Sequence, residues 1–379
     1  MSDKTSEISK KYRTWIEVSK LAIEQNYKIF RGLLSDKTKL LAVVKSNAYG
    51  HELVGFAQCA SSLGADWLGV DSITEAKTLR THGIKKPILV LGYTLPAHFA
   101  FAEKFKISLT VSNFENLNAL AATGKKISIH IKADTGMHRQ GFFENELRQV
   151  CGIIKKSPNI AFEGIYTHFA SAKKPDSQNE TGKQIAKFQK SISIARSSGF
   201  APLAHASATA GTVNFPQAHF DMVRIGIGLY GLWPSEETEK KLAKKINLRP
   251  ALSWKAVVSE LKWVEKGEKV GYDYSETLRK KTRLGIIPIG YWHGYWRAFS
   301  KKSFVLIGGI RCKVVGRVAM DMIAVDATLA AGARVGDTAV LIGKQGKEEI
   351  TAGELAKIAK TTHYEIVTRL NPLIKKEFI

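Results

Sequence analysis

Several residues with chemical use stand at the ends of apolar runs in this sequence. Lys45 ends the run 40–45 and is followed at once by the polar, turn-prone Ser46 and Asn47. Lys132 closes the run 127–132, with Asp134 and Arg139 in the stretch beyond it. His168 closes 162–168, Thr209 lies just past 203–207, and Arg224, Gly226 and Ile227 lie within 223–229. Any one of these alone has an ordinary explanation: a lysine whose stem lies along apolar surface, or a core histidine bonded to a backbone carbonyl. Their recurrence at one end of successive runs argues for a site. A lysine in such a place is suited to imine formation with a carbonyl compound. A phosphate-bearing ligand needs backbone N–H groups and hydroxyls, which Ala208, Thr209 and the segment from Arg224 to Ile227 supply, with Gly226 allowing close backbone approach. The chemistry is that of a phosphorylated carbonyl cofactor or of a sugar-phosphate substrate, and spacing alone does not separate the two.

The elements that must position these groups follow from the same runs. The stretches 40–45, 67–70, 88–91, 107–111, 127–132, 162–168, 203–207 and 223–229 are short, apolar and rich in β-branched residues. Between most of them lie amphipathic helical patterns, such as 145–156 and 181–198, although Phe215 and Pro216 interrupt the one after Ser207. Runs apolar on both faces and separated by helices are what a buried parallel sheet requires. About eight such units in roughly 200 residues fit one closed (β/α)8 barrel, whose functional groups belong at strand C-terminal ends. From about Asn247 the texture changes to alternating apolar and polar residues around glycine-containing turns, with one helical segment at 352–360. That pattern predicts a mainly antiparallel β-domain. The predicted division is a barrel over 12–246 and a β-domain over 247–379, joined by the charged stretch 237–249.

Composition excludes several classes. Hydrophobic residues make up 44 % of the 379, ample for a sizeable core. The start, MSDKTSEISKKYRTW, lacks the apolar centre of a secretory signal, and no apolar run has the length of a membrane span. Cys59, Cys151 and Cys312 are odd in number, far apart and without metal-ligand spacing, so free thiols in a cytoplasmic protein are expected. The formal net charge is +23, but the basic residues are scattered and form no arm with interleaved aromatics. The charge therefore reads as solubility and surface field, and nucleic acid is not the expected partner.

The segment AVVKSNAYGH at 42–51 resembles the cofactor-lysine motif of the alanine racemases, which are fold-type III pyridoxal-phosphate enzymes. KADTGMHRQG at 132–141, GIYTHFASA at 164–172, RIGIGLYG at 224–231 and VGYD at 270–273 follow in that family's order. So do IPIGYWHGYWR at 287–297, GRVAMDM at 316–322 and YEIVTRL at 364–370, and the resemblance runs from Tyr12 to the C-terminus. The lysine segment is shared with related enzymes; GRVAMDM together with VGYD is the specific part.

The resemblance implies interconversion of L- and D-alanine, a small amino-acid substrate, supplying D-alanine for bacterial cell-wall synthesis. It implies that Lys45 holds pyridoxal 5'-phosphate and that Tyr49, Thr209, Gly226, Ile227 and Tyr364 bind its phosphate. Arg224 would face the pyridine nitrogen and Arg139 the phenolic oxygen, with Lys132 at a position often carbamylated in the family. Tyr272 would be the second base, linked through His168 to Arg224. Met320 and Asp321 would seat the substrate carboxylate, and Tyr291 would narrow the entrance. A head-to-tail homodimer is implied, with Tyr272 and Met320 entering the neighbour's site. These roles are chemically coherent, because inverting a stereocentre needs two acid/base groups on opposite faces of a planar carbanion. An arginine beside the pyridine nitrogen keeps that nitrogen unprotonated, which shortens the carbanion's life and suppresses transamination.

The sequence also departs from the family pattern. Ile225 stands where proline is usual, Ala208 and Thr209 replace an Asn-Ser pair, and GYWHG with His293 replaces GYADG. Asp273 replaces the glycine after the tyrosine, and LIKK at 373–376 replaces an RVPR-like ending. Several of these flank the cofactor or the entrance, so a broad-specificity or serine-preferring racemase is the alternative. A fold-type III decarboxylase of basic amino acids usually sets a glutamate at the pyridine nitrogen and a cysteine base in its β-domain, against Arg224 and Tyr272 here. A cofactor carrier built as a lone barrel would lack the whole segment after Asn247.

Overall fold

The computed structural model describes residues 11–174 and 178–379. Strand β1 (Thr14–Val18) comes first, followed by eight strands that alternate with helices. These are β2 (Lys39–Val43), β3 (Trp67–Val70), β4 (Ile88–Val90), β5 (Ile107–Val111), β6 (Ile127–Lys132), β7 (Ile160–Tyr166), β8 (Leu203–Ala208) and β9 (Met222–Ile225). Each pairs in parallel with the next, and β9 returns to β2 to close the barrel. Strands β3, β4, β5 and β9 are buried along their whole length, which is why their sequences read as continuous apolar runs. The helix Leu147–Lys155 buries Leu147, Val150, Cys151 and Ile154, the i, i+3, i+4, i+7 stripe of a helix lying on a sheet. Ser72 and Asn113 cap their helices, accepting from the backbone N–H of Glu75 and Asn116.

Three sequence runs coincide with β3, β5 and β6, whereas the other five differ from their strands at one or both ends. Strand β7 ends at Tyr166, leaving His168 in the loop beyond, because the Thr167 carbonyl turns to accept from Arg224. Strand β9 ends at Ile225 rather than at Leu229. Gly228 packs so closely on Phe30 and Thr209 that a Cβ there would come within 2.3 Å of the Phe30 ring, and the chain turns tightly around that contact.

The remaining strands are β10 (Leu252–Val257), β11 (Glu260–Val264), β12 (Lys269–Val270), β13 (Glu276–Thr277), β14 (Thr282–Ile287), β15 (Phe304–Ile307), β16 (Ile310–Val315), β17 (Ile323–Asp326), β18 (Thr338–Gln345), β19 (Glu348–Ile350) and β20 (Lys375–Phe378). They form a sheet in the order β11-β14-β17-β16-β15-β18-β10-β1-β20, with β19 on β18 and a separate hairpin of β12 and β13. All pairings are antiparallel except β1 with β20. Strand β10 alternates buried and half-buried residues, as the sequence pattern anticipates.

By contacts the chain divides into two compact units. The barrel unit is Leu21–Ala48 with Leu53–Arg249, and the sheet unit takes the described residues up to Lys20, Tyr49–Glu52 and Pro250–Ile379. Residues 14–18, which the sequence reading places at the start of the barrel, thus belong with the sheet. There Trp15 and Ile16 are wholly buried between β10 and β20.

Candidate active site

Lys45 stands two residues past β2 and begins an unusual turn. Ser46, Asn47, Ala48 and Tyr49 all have φ between 50° and 56°, a left-handed helical turn built without glycine, and Gly50 follows at 82°. Each L-residue in that conformation costs roughly 1–2 kcal/mol. Specific bonds hold it: Ala48 N–H donates to Val44 O at 2.8 Å, Asn47 N–H to Glu75 Oε1 at 3.1 Å, and Leu53 N–H to Asn47 Oδ1 at 2.9 Å. The other Glu75 oxygen accepts from Asp71 N–H at 2.8 Å, and Asp71 Oδ1 lies 2.9 Å from Lys45 Nζ. A strained backbone that several side chains over-determine is typical of a functional position. Tyr230 Oη donates to Val43 O at 2.9 Å, tying the segment after β9 to the end of β2.

Around the other strand ends lies a cationic cluster. Arg224, on β9, is buried. One terminal nitrogen donates to Thr167 O and Ala206 O at 2.8 Å and lies 3.2 Å from His168 Nδ1; the other donates to His205 Nδ1 at 2.9 Å. The Tyr166 ring lies under both Arg224 and Lys132, at 5.1 and 5.0 Å. Burial first, and then Arg224 and Arg139, bring the Lys132 amine down to about 7, against an opposing pull from Asp134. Burial and the same cations, with Lys45 and Lys132, hold His168 well below the ordinary histidine range, so it is neutral. Arg224 comes down to about 10, chiefly through burial, and stays cationic at neutral pH.

Arg139 lies in the loop after β6. Phe142 N–H donates to Lys132 O and Asp134 N–H to Phe142 O, closing the loop's base, while Asp134 Oδ1 accepts from the N–H groups of Gly136, Met137 and His138. Asp134 is therefore a loop anchor. On the far side, Thr209 Oγ1 accepts from the N–H groups of Gly226 and Gly228 at 3.3 Å, which holds the turn after β9 against this hydroxyl.

The sheet unit holds the other sequence-predicted residues in two groups. Tyr49 and Tyr364 face each other with ring centroids 6.2 Å apart, and Gly50 packs on Val367 so closely that a Cβ would lie 2.0 Å from its carbonyl oxygen. The second group is organised by GRVAMDM. At one end Arg317 pairs with Asp273, fixing the short loop in which Tyr272 stands. At the other, Tyr291 N–H donates to Ala319 O and Trp292 N–H to Met320 O, and Gly290 packs against both carbonyls. Tyr291, Met320 and Asp321 thus share one surface, with His293 Nδ1 3.9 Å from Asp321. Tyr272, at 73 %, and Met320, at 54 %, are strongly exposed for their types.

Sequence reasoning did not single out Asp71, Glu75, Tyr166 or His205. Asp71 follows directly on the run 67–70, and its strand-end position was the available signal. Tyr166 and His205 lie inside apolar runs, where a polar side chain gives no sign of its direction.

The comparisons with known proteins agree with one another. Residues 18–234 match the model of the alanine racemase N-terminal domain, and residues 251–378 that of the C-terminal domain. The alanine racemase of Symbiobacterium thermophilum is 40 % identical over 93 % of this chain and 94 % of that protein. The one from Leptospira interrogans is 36 % identical, covering 98 % and 97 %. Among solved structures, the alanine racemase of Clostridium difficile superposes with a TM-score of 0.92 at 33 % identity, covering 97 % of this chain and 96 % of that one. The alanine racemase of Bacillus anthracis with bound L-Ala-P gives 0.91 at 34 %, covering 97 % and 95 %.

Proposed function

Because this chain belongs to the alanine racemase family and carries both of its domains, we propose that it interconverts L- and D-alanine with pyridoxal 5'-phosphate, Lys45 and Tyr272 exchanging the α-proton. The observation that carries the reading is Arg224. Three of its five N–H groups are taken by Thr167, Ala206 and His205, with His168 Nδ1 also 3.2 Å from one terminal nitrogen, and no further protein acceptor meets the guanidinium among the described residues. A buried guanidinium with N–H groups to spare fits a ring nitrogen that accepts a hydrogen bond, and a decarboxylase would set a carboxylate there. The other donors of the barrel fit the same group, the Lys45 amine, Arg139 and Thr209 with Gly226 and Ile227, and the family resemblance adds Tyr49 and Tyr364 for the phosphate. When bound, the cofactor supplies the electron sink that acidifies the α-C–H bond.

The chain's own residues do the rest. Asp71 and the left-handed turn fix the Lys45 amine, which holds or returns the proton on one face, while the Tyr272 oxygen serves the other. Neutral His168 stands against Arg224 as the relay to that tyrosine. Lys132, whose amine is about half neutral at pH 7, is suited to carry a carbamate that would steady Arg139. Met320, Asp321 and Tyr291 make the substrate end.

The exposed Tyr272, Tyr274, Trp292, Met320 and Met322 have the aromatic and methionine composition of an interface, which supports a head-to-tail homodimer with shared sites. A cytoplasmic enzyme feeding D-alanine to cell-wall synthesis is the role that the family resemblance carries; among the described residues no helix is long and apolar enough to cross a membrane. The test is racemisation followed by chiral separation from pure L- and pure D-alanine, with serine alongside because Ala208 and His293 flank the site. Equal final ratios from both alanine enantiomers are expected; no inversion of alanine would overturn the reading.

A further inference from the structure

Behind Arg224 the barrel interior holds a row of polar side chains that the proposed reaction does not use. Arg224 Nη1 lies 2.9 Å from His205 Nδ1, and His205 Nε2 lies 2.8 Å from His130 Nδ1. His130 Nε2 stands 3.5 Å from Glu163 Oε2, a charge contact without hydrogen-bond alignment, and that oxygen accepts from Ser108 Oγ at 2.5 Å. Both imidazoles are wholly buried, His205 stacked on Tyr166 at 4.8 Å and His130 edge-on to Trp67 at 5.3 Å.

Donor and acceptor types fix the protons in this row. A guanidinium offers only N–H, so His205 must turn a lone pair on Nδ1 toward Arg224. Burial holds both rings neutral. A neutral His205 then carries its proton on Nε2 and donates it to His130 Nδ1, which forces the His130 proton onto Nε2 as well, facing the Glu163 carboxylate. The backbone is bent to make this possible. In the β6–β7 pairing Ile129 faces Phe162 and His130 faces Gly164, so Glu163 is the extra residue of a bulge. Strand β8 carries a second irregularity between His205 and Ala208. Gly164 leaves room for the histidine, since a Cβ there would lie 2.1 Å from His130 Nδ1.

We propose that His205, His130 and Glu163 are positioning residues for Arg224, a one-way chain of donors that locks the rotation of the guanidinium from inside the barrel. Arg224's task toward the pyridine nitrogen rests on the function proposed above; the proton positions do not. With the guanidinium locked, its remaining N–H groups keep one direction, and the ring nitrogen they meet stays unprotonated. Loosening the chain at its far end lets that nitrogen gain a proton, which favours transamination over racemisation.

Two measurements test this. Nitrogen-15 NMR of histidine-labelled holoenzyme, with signals assigned by their loss in His205→Asn and His130→Asn, should find both rings neutral and protonated at Nε2. A proton on Nδ1 of either ring, or an imidazolium, overturns the chain. Second, Glu163→Gln keeps the volume but removes the charge, and it should raise the ratio of transamination to racemisation by about fivefold, the size of a single polar contact. Gly164→Ala, which displaces His130 without removing a polar group, should move the ratio the same way. If both rates fall together and the ratio stays constant, these residues are structural and the proposal fails. Wild-type protein that binds no pyridoxal phosphate would instead overturn the proposed function, and the NMR result alone would then decide this inference.

Discussion

Replacing Lys132 by methionine is expected to change not only how stable the protein is but how its stability depends on pH. In the unfolded chain this amine is protonated up to its ordinary 10.5, and in the folded barrel only below about 7. Between those values the unfolded state binds more protons, so the lysine's contribution to stability climbs as pH rises through that window. At pH 6 the buried ammonium costs on the order of 5 kcal/mol and at pH 10 on the order of 1, a swing of about 4 kcal/mol from one side chain. The Lys132→Met variant lacks this term. Urea unfolding of both proteins in bicarbonate-free buffer at pH 6, 7, 8, 9 and 10 reads it as the pH-dependent difference between the two. The variant should gain most relative to wild type at pH 6 and lose that advantage toward pH 10. An offset constant to within about 0.5 kcal/mol, the scatter of an uninvolved site, would refute the reasoning. Adding bicarbonate at pH 8 should then stabilise the wild type alone, by converting the amine to an anion among Arg139 and Arg224.

The purified protein should be yellow and borohydride reduction should attach a phosphopyridoxyl group to Lys45; mass spectrometry placing it on another lysine would remove that residue from the site. Tyr272→Phe should slow racemisation in both directions by ~10²–10⁴-fold, the usual share of a general acid or base. In that variant, exchange of the α-proton with solvent deuterium should persist for D-alanine, which the family resemblance assigns to the lysine, and vanish for L-alanine. Retention for both enantiomers would assign that face to another group. Mixing inactive Lys45→Ala and Tyr272→Phe subunits should restore activity, since one site of each mixed dimer is intact; verified exchange without recovery would exclude shared sites.

The barrel was legible because its strands are buried on both faces, so 67–70, 107–111 and 127–132 stand out between helical patterns without knowledge of their partners. Strand-end position then picked out Lys45, Lys132, Thr209 and Arg224. Strand β1 was not legible: its five residues pair with β10 and β20, each more than two hundred positions away, and nothing local distinguishes them from a barrel strand. His130, Glu163 and His205 were hidden for a different reason. Their direction is set by bulges in β7 and β8, which exist only in the pairing of neighbouring strands. The tyrosines of the sheet unit came from motif resemblance, because their position in loops carries no periodic signal.

The left-handed turn after Lys45 bears on how this enzyme would respond to selection for heat resistance. Four L-residues in that conformation together cost roughly 4–8 kcal/mol, comparable with the whole net stability of many domains. Glycine at Ser46 or Asn47 would relieve part of that cost at once, and a search for thermostable variants should find such replacements early. The same replacements free the chain on which the Lys45 amine is mounted, and they leave its direction to the surrounding hydrogen bonds to Glu75 and Asp71 and to the Ala48–Val44 backbone bond. Heat-tolerant variants carrying glycine here should therefore lose turnover at ordinary temperature, whereas stabilising changes elsewhere in the barrel should leave it intact.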